Sequence, residues 1–214
     1  VMSRAAARIL VDRYAADPSR VEIIPHGVPD LPFVQPDSVK AGLGMGGRQL
    51  LLSFGLVGPS KGYETVIEAM PHVVRAVPKA SYVILGATNP ELRRTEGERY
   101  RTQLETLAAD LGMSKHLVFI DRFVSQHELS RWLEAADVFV TPYPNLDQIV
   151  SGTLSYAMAA GKATVSTPYL YASEILADGR GRLVPPGEPA AMGDALIEVL
   201  QDHGLRAAMA QRAY

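Results

Sequence analysis

Six side chains able to hydrogen-bond a polar ligand fall within eleven residues: Tyr143, Asn145, Asp147, Gln148, Ser151 and Thr153. They follow the apolar run that begins at Asp137 and precede a helical pattern over 150–160. A strand end leading into a helix start presents unbonded backbone N–H groups and the positive end of the helix dipole. Such a corner takes anions, phosphate above all. Ser151, Gly152, Thr153 and Leu154 would supply the amides there. These residue types point to recognition of phosphate and polyol.

Three further groups sit where an apolar run gives way to polar residues. Gly55-Leu-Val-Gly58-Pro-Ser-Lys61-Gly62 combines two glycines that let backbone approach a phosphate with a lysine to balance its charge. Its spacing fits neither the dinucleotide fingerprint nor the Walker A loop, and a strand-to-helix turn with a solvated lysine is the plainer account. Gly86-Ala-Thr88-Asn-Pro brings chain close to a base or ribose, or is simply a turn. In Asp121-Arg122-Phe123-Val124, Arg122 can pair with phosphate in two-pronged fashion and Phe123 can pack on a ring; equally, this is a helix-entry loop capped by Ser125. Glu174 falls early in a short helix, where a carboxylate suits the dipole whether or not it meets a ligand. The five histidines show no metal-ligand spacing, only His26 falls on a loop of the strand-end kind, and no serine sits in a nucleophile elbow.

These groups need a scaffold that gathers strand ends. Apolar runs predict strands at Val21–Pro25, Gln49–Gly55, Ser81–Gly86, Leu117–Asp121, Asp137–Tyr143, Ala163–Pro168 and Arg182–Pro185. Most are unbroken, as in strands covered on both faces. Helices are predicted near 62–77, 97–112, 126–135, 150–160, 171–177 and 189–202; in the second, Leu104, Leu107, Ala108 and Leu111 share one face. This alternation predicts an α/β fold with a doubly wound parallel sheet, which binds ligands beyond the carboxyl ends of its strands. Residues 27–48 read as a long excursion.

A chain of 214 residues supports one large domain, and 47% hydrophobic with 21% charged residues is ordinary for a globular protein. A net charge of −2 gives no argument for nucleic acid, and the lack of cysteine excludes disulfides and thiolate chemistry. No apolar run has the roughly 20 residues that span a bilayer. A cytoplasmic location is the default expectation, with peripheral attachment at the inner membrane face open to a full-length protein. Ser3 is a plausible cap for an opening helix, and the chain stops inside another helical pattern. The expected division is a helical segment or linker over 1–20 and a domain over 21–214, cut from a longer protein.

In order along the chain, Ile24-Pro-His-Gly-Val28, Ser53-Phe-Gly-Leu-Val-Gly-Pro-Ser-Lys-Gly62, Val83-Ile-Leu-Gly-Ala87, Ala136-Asp-Val-Phe-Val-Thr-Pro142, Ala157-Met-Ala-Ala-Gly161 and Glu174-Ile-Leu-Ala-Asp-Gly-Arg-Gly181 resemble the C-terminal domain of GT-B glycosyltransferases. The resemblance is narrowest to the retaining group 1 type, also called family four. It implies a Rossmann-like half of a two-domain enzyme that binds a nucleotide-sugar donor without a metal or other cofactor. The acceptor, a saccharide or lipid-linked saccharide, would belong to the other domain.

The resemblance also exposes departures. The family usually has Gly-Arg where this chain has Gly55-Leu56, while Lys61 matches the second cation. The family's two glutamates are replaced by Gln148 and Tyr156, which hydrogen-bond but bring no negative charge. On this reading Lys61, Gln148 and Tyr156 are the candidate catalytic positions. Gly55, Gly58, Gly86, Thr88, Arg122, Phe123, Tyr143, Ser151, Gly152, Thr153, Leu154 and Glu174 hold the donor. Two alternatives remain beside a transferase with its own solution at the site: a partner subunit that has lost catalysis, and a nucleotide-sugar epimerase of the same architecture.

Overall fold

Alternate residues of the central strands point to opposite faces, and both faces are covered. In the computed structural model, which describes residues 1–214, Leu51, Tyr82, Ile84, Val138 and Val140 face one buried cluster, while Leu50, Leu52, Val83, Leu85 and Phe139 face another. Strands with apolar residues on both faces must lie between two layers of helix.

The six strands are β1 (Gln49–Phe54), β2 (Ala80–Leu85), β3 (Leu117–Ile120), β4 (Val138–Thr141), β5 (Ala163–Ser166) and β6 (Gly181–Leu183). All pair in parallel, in the order β3-β2-β1-β4-β5-β6. The order reverses between β1 and β4, which opens a crevice at their carboxyl ends. The fold is the α/β, doubly wound, Rossmann-like sheet expected from the sequence.

Helices α1 (Arg4–Tyr14), α2 (Asp37–Lys40), α3 (Tyr63–Ala76), α4 (Pro90–Glu96), α5 (Arg99–Asp110), α6 (Gln126–Ala135), α7 (Gly152–Ala159), α8 (Leu170–Ile175), α9 (Pro189–Gln201) and α10 (His203–Ala213) complete the chain. Residues of α3, α5 and α9 fill the first cluster; those of α6 and α7 fill the second. Ser3 caps α1 as expected, accepting from the Ala6 N–H.

The expected strand at Val21–Pro25 is absent. That segment pairs with the chain start, where the Val1 ammonium donates to Glu22 O and Ile24 N–H donates to Val1 O. With no sheet edge beside them, Ile23 and Ile24 stay exposed. Helix α4 lies where the sequence suggested only a turn: Asn89 caps it through the Glu91 and Leu92 N–H groups and Pro90 occupies its first position.

Candidate donor-binding site

Two strand ends meet at the switch point. After β1 the chain turns through Gly55 and a tight 3-10 turn, Pro59–Lys61, into α3. After β4 it passes Pro142 and Tyr143 and returns as α7. Gly62, with φ 62, packs so closely on this second path that a β-carbon there would strike the Pro142 carbonyl. Only glycine satisfies both the left-handed turn and that contact.

This approach places the Lys61 ammonium 4.4 Å from the centroid of the Tyr143 ring. The ring forms a rigid floor, stacked on Tyr169 with centroids 5.2 Å apart and planes at 20°. Thr167 Oγ1 donates to Tyr143 O at 2.6 Å and fixes its backbone. Burial holds the Tyr169 phenol well above its ordinary pKa, so that ring stays neutral.

The Tyr143 phenol meets Thr153 Oγ1 at 2.7 Å, and Thr153 Oγ1 lies 3.1 Å from Ser151 Oγ. Ser151 is extended and caps α7, its hydroxyl accepting from Leu154 N–H at 3.3 Å. That bond removes Leu154 from the expected free amides. The N–H groups of Gly152 and Thr153 have no acceptor within the protein. No acidic residue lies in the first turn of α7, so no carboxylate offsets its positive end. Thr153 also faces Gly55, whose missing side chain leaves a gap that its methyl group borders. The structure therefore brings together Gly55, Lys61, Tyr143, Ser151, Gly152, Thr153 and Leu154.

One strand over, the loops after β1 and β2 pair through Val57 and Thr88, with Gly58 lying against Asn89 and Leu92. Gly86, at φ 144, abuts the Gly55 carbonyl so tightly that no side chain fits. Beyond it a cavity of about 550 Å³ is lined by Thr88, Arg93, Arg94, Asp121, Arg122 and Phe123 among others. Thr88, Arg122 and Phe123 thus share one cavity, but their polar groups are largely engaged. The Thr88 hydroxyl is buried on Glu98 and Arg101. Arg122 forks onto Glu128, at 2.8 and 2.5 Å, and so does not stand free for a phosphate. Phe123 is 73% exposed and offers an open ring face.

Gln148 and Tyr156 flank the amides. The Gln148 amide donates to Val150 O at 2.8 Å and shapes the loop before α7. Tyr156, one turn after Gly152, packs edge-on against Phe54 with centroids 6.1 Å apart. Glu174 does not face this crevice as a free ligand group. Its two oxygens accept from the Arg4 and Ala5 N–H groups at 2.9 and 3.0 Å. The unbonded amides of a helix start attract a carboxylate, and here that start belongs to α1. Ser3 Oγ, donating to Ile149 O at 2.8 Å, joins α1 to the loop before α7.

Two residues outside the expected site help to build it. Arg101, 4% exposed, donates to Gly86 O at 2.6 Å and pairs with Asp121 at 2.9 Å, tying together the ends of β2 and β3. Nothing in its helical context marks it. His26 lies over Gly152, and its only signal in the sequence is the turn Pro25-His-Gly27.

Residues 37–214 match the family model described as glycosyl transferases group 1, and the chain belongs to that family. Among curated proteins it is similar to a D-inositol 3-phosphate glycosyltransferase of Nocardioides sp., with 29% identity across 97% of this chain and 46% of that protein. The chain thus spans about half the length of the curated relatives it matches. Its fold matches Anabaena HepE, solved with UDP and glucose, at a TM-score of 0.81 and 18% identity, over 99% of this chain and 55% of that one. It also matches the C-terminal domain of a glycosyl transferase group 1 family protein from Francisella tularensis, LpcC, at a TM-score of 0.74 and 23% identity, over 88% of this chain and 95% of that one.

Proposed function

We propose that this chain is the donor-binding half of a retaining glycosyltransferase, holding a nucleoside-diphosphate sugar across the carboxyl ends of β1 and β4. The observation that carries the reading is the pair of acceptor-free amides at Gly152 and Thr153 beside Lys61 on its aromatic floor. Family membership and the UDP and glucose bound by the HepE fold support it.

The chemistry follows from where charge develops. As the bond from sugar to diphosphate breaks, negative charge grows on the leaving phosphate. Donors already aimed at that position stabilise the transition state more than the ground state. Gly152 and Thr153 N–H and the Lys61 ammonium fill this role, while the base rests near Phe123 and Thr88. Gln148 reaches the sugar by turning its amide from Val150 O, and Tyr156 lies toward the ribose. Glu174 acts through α1, holding the loop that carries the amides. No resident cofactor or metal enters the proposal. A second domain brings a saccharide or lipid-linked acceptor, so this chain alone binds donor without transferring sugar.

Calorimetric titration with UDP, GDP and ADP and their sugar conjugates tests the reading. One diphosphate is expected to bind preferentially, and its sugar conjugate to bind as well. Failure of all of them removes the donor-site assignment. A binding subunit without transferase activity is the second reading, favoured by the engagement of Gln148 with Val150. It predicts donor binding but no sugar transfer or donor hydrolysis by the full-length protein.

A further inference from the structure

The ring of His26 stands over the first turn of α7. A β-carbon built on Gly152 would lie 3.0 Å from His26 Nε2, so the ring occupies the space that a side chain at 152 would need. The orientation is fixed from the other side. His26 Nδ1 lies 2.9 Å from Gly27 O, and a carbonyl oxygen only accepts, so Nδ1 carries a hydrogen. Nε2 is therefore the nitrogen left without a hydrogen in the neutral ring, and it is the ring atom nearest the β-carbon position of Gly152. It makes no hydrogen bond within the protein, and the ring is only half-buried.

Charge at this corner is incomplete. Lys61 is the one basic side chain among the residues gathered around the α7 amides, and a helix start adds about half a unit charge. A nucleoside diphosphate brings more than these balance. With hydrogens on both ring nitrogens, the ring can donate from Nε2 to a phosphate oxygen.

Strand order sets which phosphate this is. The cavity with Phe123 lies at the ends of β2 and β3, Lys61 follows β1, and α7 follows β4. A ligand whose base rests in that cavity runs along the sheet edge and reaches α7 with its far end.

We propose that His26 is a further donor-contacting residue, its Nε2 meeting the distal phosphate of the nucleoside diphosphate above Gly152. This rests on the donor-site reading given above.

The test is calorimetric titration of the 214-residue chain with UDP, GDP and ADP and with the matching monophosphates. For the preferred base, His26→Ala should weaken diphosphate binding about tenfold or more, as loss of a hydrogen bond to a charged group does. Monophosphate binding should stay within about twofold in the same comparison. His26→Gln, which can place an N–H near the same point, should recover most of the loss. The His26 Nε2 nitrogen resonance should shift on adding the diphosphate and stay in place with the monophosphate. Unchanged diphosphate affinity in His26→Ala overturns the assignment, as does an equal fall for both ligand classes. If the unsubstituted chain binds none of the diphosphates, the donor site itself is wrong, and His26 falls with it.

Discussion

Lys61 and Tyr143, 82 positions apart, meet ammonium to ring at 4.4 Å because Gly62 lets the start of α3 touch the end of β4. The contact orients the one lysine of the site without neutralising it, since the ring offers a quadrupole and no formal charge. Tyr143 in turn is fixed by Tyr169 beneath it and by Thr153 at its hydroxyl. Cation, floor and helix start form one connected unit.

Replacing Lys61 with Ala should therefore weaken nucleoside diphosphate binding by about tenfold to a hundredfold, the range for a charged hydrogen-bonding partner. Thermal stability should change little, because Lys61 is half-buried and belongs to neither apolar cluster flanking the sheet. Calorimetry and a thermal melt on the same sample separate the two effects. A large fall in melting temperature with unchanged affinity would mean that the lysine supports the fold and not the ligand.

Gly86→Ala should behave in the opposite way. Its β-carbon would collide with the Gly55 carbonyl, and φ 144 is strained for any L side chain. A loss of roughly 2 kcal/mol or more in urea unfolding is expected, since strain and a backbone clash act together. Gly27, which has open space around it, is the control: Gly27→Ala should cost far less by the same measurement.

The path from sequence to site was uneven. β1, β2, β4 and β5 were legible because strands buried on both faces carry runs of apolar and small residues, with Ser and Thr as the main polar types. Val21–Pro25 shares the β-branched apolar residues, but with Glu22 and Pro25 among them, and composition does not reveal whether a partner strand lies alongside. The α7 corner was legible because Ser151-Gly152-Thr153 joins capping chemistry to a strand end. Glu174 was misleading: the sequence suggested the start of a helix, but α8 runs from Leu170 to Ile175, so Glu174 falls near its end and its carboxylate serves the start of α1 instead. The partner it holds, α1, is about 170 residues away in sequence. Arg101, inside α5, was invisible as a site residue for the same reason, and the loop position of His26 gave no sign of its contact with α7: both roles come from segments distant in sequence.

At the other end of the sheet, Lys40 and Asp137 form a buried pair at 2.6 Å, with exposures of 2% and 8%. Asp137 also accepts from Leu50 N–H at the start of β1. Asp137→Ala leaves Lys40 with only the exposed Asp37 carboxylate, 2.8 Å away, and should cost about 2–4 kcal/mol, somewhat less than breaking a fully isolated buried pair from one side. Chemical denaturation measures it. A double variant, Lys40→Met with Asp137→Ala, should recover part of the loss, because no buried ammonium is then left to be held by the exposed Asp37 alone.

Lys162 gives a pH-dependent expectation. Its ammonium donates to the Glu134 and Ala136 carbonyls at the end of α6, at 2.9 and 3.3 Å, and burial pulls its pKa down to about 8 from 10.5. Between those values the unfolded chain binds the proton more tightly than the folded one, so this residue makes stability rise with pH. The unfolding free energy of the unsubstituted chain, minus that of Lys162→Met, should climb between pH 8 and 10, by at most about 1.4 kcal/mol per pH unit. Denaturation series on both proteins at matched pH check the slope. A flat difference would place the folded-state pKa near its ordinary value.

The donor site is tested most directly by a crystal structure of this chain with its preferred nucleoside diphosphate. Phosphate oxygens about 3 Å from the Gly152 and Thr153 nitrogens, with Lys61 in reach, are the predicted result. A diphosphate seated instead on Arg93 and Arg94, with the α7 amides facing empty solvent, would contradict it.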